Sequence, residues 1–203
     1  MDRRGFTLIE LMVVLVIIFV LICLFLPAVN SSNAAAKRIQ CMNNLRQLSL
    51  GLMNYHHERE VFPPGFMADA GSPNVGWGWI AGMLAEIEQT MLSREIDPSV
   101  PFDSAVNQTA RVCRISIAVC PSDRPRGDNR NFSVKTGSKT RCEMAVSSYV
   151  ASFGTGDPTD PAQIDRGDGV FFRNSQIGLH QLIDGTSTTF LIGERSRLSG
   201  PSS

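Results

Sequence analysis

Met1-Asp-Arg-Arg-Gly5-Phe-Thr-Leu-Ile-Glu10 runs without a break into Leu11-Met-Val-Val-Leu-Val-Ile-Ile-Phe-Val20-Leu-Ile-Cys-Leu-Phe-Leu26. A short basic head, a Gly-Phe step and one carboxylate stand at the mouth of 16 uncharged apolar residues. With Phe6–Ile9 before it and Ala28 and Val29 after it, the stretch approaches the roughly 20 residues that cross a bilayer. Leu, Val, Ile and Phe without glycine predict a stable helix in lipid. Arg3 and Arg4 keep its leading end on the cytoplasmic side.

Three readings of this segment compete. A secretory signal cut after Ala34-Ala35-Ala36 has the right small residues, but its apolar region exceeds the roughly 7–15 residues expected. An uncleaved anchor accounts for the length. Neither accounts for Glu10. An acidic residue at a helix centre costs about 2.5–3.5 kcal/mol on insertion, and less near the interface. Cleavage between Gly5 and Phe6 would free an α-amino group on Phe6. A cation and a carboxylate about 4 Å apart attract by roughly 4 kcal/mol at an effective dielectric near 20. Pairing Glu10 of one copy with the Phe6 amine of its neighbour would therefore offset the insertion cost and set the axial stagger. The bland alternative is a glutamate that snorkels to the headgroups.

Further along, Ile39, Met42, Leu45, Leu48, Leu52 and Tyr55 recur at three- and four-residue steps between polar residues. That pattern predicts an amphipathic helix continuing the first, from Phe6 to about His57, roughly 75 Å long. Asn30–Asn33 would loosen it locally. Phe62-Pro63-Pro64-Gly65 ends it. Its apolar stripe needs a sheet to cover it, which makes the remainder α+β. Residues 66–78 read as a loop, Trp79–Glu95 as a second helix, Val112–Cys120 as a strand and 121–141 as a charged loop. Met144–Phe153 reads as a strand and 154–169 as a Gly/Asp/Pro loop. Short strands follow at Val170–Phe172, Gln176–His180 and Thr188–Gly193.

Charge is balanced, 19 basic against 19 acidic, so nothing points to nucleic acid. No phosphate-binding loop, nucleophile elbow or zinc-protease motif occurs, and three histidines with scattered Ser and Asp define no triad. The expectation is that the chain is not an enzyme. Cys23 lies in the span. Cys41, Cys113, Cys120 and Cys142 lie beyond it, where disulfides persist, and four cysteines allow three pairings. Zinc is disfavoured: no C-x-x-C exists, and His56 and His57 have no fixed spacing to the cysteines. Asp157, Asp160, Asp165 and Asp168 sit within twelve residues of a turn-rich loop. Calcium favours such oxygens, but aspartates there also serve turn chemistry. No other cofactor is expected. Trp77 and Trp79, with Tyr55 and Phe62, read first as a core cluster capping the helix; the alternative is an aromatic face for a glycan or partner protein.

Arg-Arg-Gly-Phe-Thr-Leu-Ile-Glu-Leu before an apolar run resembles the class III signal of type IV pilins and type II secretion pseudopilins. Cys41 within Gln-Cys-Met-Asn-Asn-Leu-Arg-Gln, Gly-Trp-Gly-Trp at 76–79, Cys-Pro-Ser-Asp at 120–123 and Ile-Asp-Gly-Thr-Ser-Thr-Thr-Phe-Leu-Ile-Gly-Glu-Arg at 183–195 extend the likeness. Together they resemble the large planctomycete set of prepilin-type proteins with a domain of unknown function, sometimes labelled solute-binding. Their usual C-terminal signature of His, nine residues, then Asp-Gly does not occur in this sequence.

The resemblance implies a pilin-like α+β fold, a long helix packed on a small antiparallel sheet. The divisions expected are a leader at 1–5, a transmembrane helix at 6–29, an amphipathic stem at 30–60 and an extracytoplasmic domain at 61–203. It further implies cleavage after Gly5 by a prepilin peptidase, methylation of Phe6 and subunit docking through Glu10. Partners would be other pilin-like subunits, at the inner membrane or in a fibre. The alternative is a membrane-tethered ligand- or glycan-binding protein that uses the same signal. Because the positions of Cys41 and Cys120 recur together in that set, it implies a Cys41–Cys120 bridge, leaving Cys113–Cys142 as a second.

Overall fold

The computed structural model describes residues 8–69, 72–123, 131–136, 139–155 and 167–195. Helix α1 spans Leu8–Arg59, 52 residues, about 78 Å at 1.5 Å per residue. In lipid only such a helix satisfies the backbone groups of the β-branched run from Val13 to Ile22. It continues unbroken through Asn30–Asn33, where loosening was expected, because those polar side chains face outward on an exposed turn. It ends at Glu60, which takes a left-handed φ of 64° and donates its N–H to the His56 carbonyl at 2.7 Å.

The rest of the described chain wraps the C-terminal third of α1. Antiparallel β1 (Phe66–Asp69) and β2 (Ser72–Gly78) form a hairpin where a loop was expected. The predicted helix over Trp79–Glu95 is three pieces: α2 (Trp79–Gly82), a 3-10 turn (Ala85–Ile87) and α3 (Thr90–Glu95). The break falls at Glu88, whose φ of 63° is left-handed. Burial still follows the periodicity, with Ile80, Met83, Leu84, Ile87 and Leu92 inside, but Met91 is exposed.

The predicted strand over Val112–Cys120 does not form. Helix α4 (Gln108–Val112) leads into a short extended stretch and a 3-10 turn (Ser116–Ala118). No strand lies beside it among the described residues; its carbonyls are taken up by Ser147, Ser148 and Asn44 instead. A second hairpin, β3 (Asn131–Thr136) with β4 (Lys139–Ala145), occupies part of the expected charged loop. The expected strand over Met144–Phe153 is divided between β4 and β5 (Tyr149–Ala151), and β5 pairs with β6 (Ile192–Glu194). Val170–Phe172 and Gln176–His180 are not strands. They run beside residues 62–66 through single bonds such as Phe62 N–H to the Ile177 carbonyl, 2.8 Å. The architecture is therefore α+β, with three separate two-stranded antiparallel ribbons among the described residues where one small sheet was expected.

The core forms where α1 meets these pieces. Cys41, Leu48 and Leu52 pack with Met83, Leu84, Ile87, Phe62, Tyr149 and Phe171. Gly51 allows the closest approach: a Cβ there would stand 2.5 Å from Ile87 Cγ2. The buried stripe is rotated from the predicted one. Ile39 and Met42 are exposed, while Cys41 and Asn44 turn inward, because covalent and polar contacts select the face.

Candidate functional site

Two regions of α1 carry the candidate chemistry. In the N-terminal half every described side chain is exposed, from Leu8 at 82% to Phe25 at 63%. Each buried aliphatic or aromatic side chain is worth roughly 1.5–3 kcal/mol, so this surface requires lipid or neighbouring helices around it. Glu10 lies in the first turn of α1, exposed among Leu8, Ile9, Leu11 and Met12. Gly5 and Phe6 lie outside the described residues. Cys23 is a free thiol on the same exposed surface.

Further along, α1 is fastened to the head. Cys41 and Cys120 form a disulfide with Cα atoms 4.9 Å apart, as the resemblance implied. Tyr149 Oη donates to the Cys41 carbonyl at 2.9 Å, and Asn44 Nδ2 donates to the Val119 carbonyl at 3.2 Å. Burial pushes the Tyr149 phenol above its ordinary pKa, so it remains a donor. Ser148 Oγ accepts the Cys120 N–H at 3.1 Å and donates to Asp123 Oδ2 at 2.7 Å. Ser148 and Asp123 are both buried. Sequence reasoning noted the Cys-Pro-Ser-Asp and Gln-Cys-Met-Asn-Asn segments but gave Asp123, Asn44, Ser148 and Tyr149 no role. For Asn44 and Asp123 the signal was a polar residue three positions after a bridging cysteine; Ser148 and Tyr149 carried none. Glu194 lies within 4.8 Å of the two sulfurs, but sulfurs joined in a disulfide are not thiolate ligands.

At the distal end Arg59 Nη1 bonds Glu86 Oε1 at 2.5 Å, and its guanidinium lies 4.1 Å from the Tyr55 ring centroid. Glu86 Oε2 is buried with no hydrogen-bond partner among the described residues.

The expected Cys113–Cys142 bridge is not formed; both are free thiols. Cys113 leaves α4 exposed, whereas Cys142 faces inward from β4, and burial raises its thiol pKa. Of the aspartates considered for calcium, Asp157, Asp160 and Asp165 lie outside the described residues. Asp168 performs turn chemistry: it accepts the Thr155 N–H at 2.5 Å and the Thr155 hydroxyl, which hold its pKa below the ordinary value. The four aromatics do not share one face. Phe62 and Trp79 are buried, Tyr55 lies beneath Arg59, and Trp77 meets Phe102 edge-on at 5.0 Å.

An exposed apolar helix with a carboxylate in its first turn, clamped at its far end to a small α+β head, defines a membrane-anchored protein of prepilin type. The model of the prokaryotic N-terminal methylation motif matches residues 1–22. This motif implies processing by a prepilin peptidase and pilin-type assembly. Residues 31–202 match the family described as "Protein of unknown function (DUF1559)", and the chain belongs to that family. No curated protein and no solved structure matches the chain.

Proposed function

We propose that the protein is a pseudopilin-like structural subunit, without catalytic chemistry or a cofactor of its own. The chain is inserted in the inner membrane with its head on the extracytoplasmic side. It is cut after Gly5, methylated on the Phe6 amine, and packed through α1 into a pilus or secretion pseudopilus. The observation that carries this reading is the pairing of a wholly exposed apolar half-helix with Glu10 in its first turn. A neighbouring α1 covers the apolar surface, and a neighbouring Phe6 amine neutralises the carboxylate. The clamp around Cys41 transmits axial force from stem to head.

Intact-mass measurement and N-terminal sequencing of protein from native membranes test it. Expected is a chain beginning at methylated Phe6. Retention of Met1, or a start at Lys37, rejects the proposal. Glu10→Ala is expected to abolish cross-linked ladders between copies while leaving the head folded. The second reading, a tethered binding module, is favoured by the cleft described next.

A further inference from the structure

A cleft in the head lies away from the stem. It is a partly open cleft of about 200 Å³ between α2, α4 and the end of β4. An engineered apolar cavity of about 150 Å³ suffices for benzene. Trp77, Trp79 and Phe102 line its walls. Arg111 also lines it, the one charged residue among the described residues that does so.

Arg111 is 7% exposed. Its Nε bonds the Glu143 carbonyl at 2.8 Å, and Nη1 bonds the carbonyls of Phe102 and Ser104 at 2.7 and 3.1 Å. Nη2 makes no hydrogen bond among the described residues. The Cζ atom lies 5.6 Å from the Phe102 ring centroid. Among the described residues no carboxylate forms an ion pair with Arg111: Asp103 is near enough to feel its charge, but its hydrogen bond goes to Arg141 at 2.5 Å. Carbonyl dipoles thus hold the cation in place, and Asp103 meets its charge only at a distance. An anion that reached Nη2 would gain a charge-assisted hydrogen bond in an apolar setting. The two N–H groups of Nη2 can reach one oxygen of a carboxylate.

We propose that this cleft binds a small organic acid, its aromatic or apolar body between the tryptophans and Phe102 and its carboxylate on Arg111. The inference rests on the head alone and holds whether or not copies assemble through α1.

The chain's two tryptophans both line the cleft, so their emission reports its occupancy. Full-length protein in lipid nanodiscs is titrated with phenylacetate and with its neutral isostere phenylacetamide. Expected is a saturable emission change with phenylacetate at an affinity about tenfold or more tighter than with the amide, a difference set by the charged contact. Arg111→Gln equalises the two probes. Ala145→Leu, which fills the cleft and leaves Arg111 intact, removes the response to both. No saturable response to phenylacetate up to millimolar concentration overturns the proposal. So does equal affinity of acid and amide in the unsubstituted protein.

Discussion

Tyr149 Oη donates a 2.9 Å hydrogen bond to the main-chain carbonyl of Cys41, 108 residues earlier in the chain. That carbonyl belongs to the middle of α1, so a side chain of the head reads the position of the stem's backbone. The same cysteine is bridged to Cys120, and Tyr149 is 1% exposed. Tyr149→Phe preserves the packing and removes only the hydroxyl. It is expected to destabilise the head by about 1 kcal/mol, seen as a lower urea midpoint at unchanged slope.

Removal of the bridge acts more strongly. The two cysteines are 79 residues apart, and closing a loop of that size restricts the unfolded chain by about 4.5 kcal/mol in the chain-entropy model. Cys41→Ser with Cys120→Ser is expected to lower the thermal midpoint of the head. Reductant should shift the parent protein toward the same midpoint and leave the double variant unmoved. Equal midpoints for parent and double variant in oxidising buffer would count against a load-carrying bridge.

Gly51 tests how closely the 3-10 turn is seated on the stem. Alanine is favoured over glycine in a helix interior by about 1 kcal/mol, yet its Cβ would stand 2.5 Å from Ile87 Cγ2. Gly51→Ala should therefore destabilise by about 1–2 kcal/mol through overpacking. Ile87→Ala in the same chain should recover part of that loss, giving a measurable coupling in a double-mutant cycle. A stabilised Gly51→Ala protein would show that the contact yields.

Acid should loosen the head. Hydrogen bonding to Arg141 holds Asp103 below the ordinary carboxylate pKa; Asp168 is lowered by the Thr155 hydroxyl and N–H, and Asp97 by those of Ser99. Each is more acidic folded than unfolded. Their stabilisation is present above the unfolded value near 3.9 and is lost as pH falls through the lower folded values. Thermal midpoints should thus hold from neutral pH to about 4 and drop below it. Asp103→Asn should flatten the drop. A midpoint that rises on acidification to pH 3 contradicts this assignment.

The legible parts of this chain were those written locally. A 52-residue helix, its end shortly before Phe62-Pro63-Pro64 and the burial of Leu48 and Leu52 all follow from spacing and from proline chemistry. The strand reading of Val112–Cys120 failed because β-rich residues form a strand only beside a partner, and here Ser147 and Ser148 take the Ala118 carbonyl and Asn44 that of Val119. The hairpins at Phe66–Gly78 and Asn131–Ala145 were hidden by turn-rich composition.

The candidate sites divide in the same way. Gly5, Phe6 and Glu10 were proposed from their order before the apolar run and from the resemblance to prepilin signals, which lie in contiguous sequence. Placing Asn44 against Val119, Asp123 beneath Ser148, and Arg111 among aromatic rings required the folded chain. Those contacts join residues 75, 25 and 9 positions apart, and burial gives them their strength. Local sequence thus determined the helix and its membrane address. Tertiary packing alone decided which face of the helix points inward and which aromatic rings surround Arg111, because desolvation is a property of surroundings that no single segment encodes.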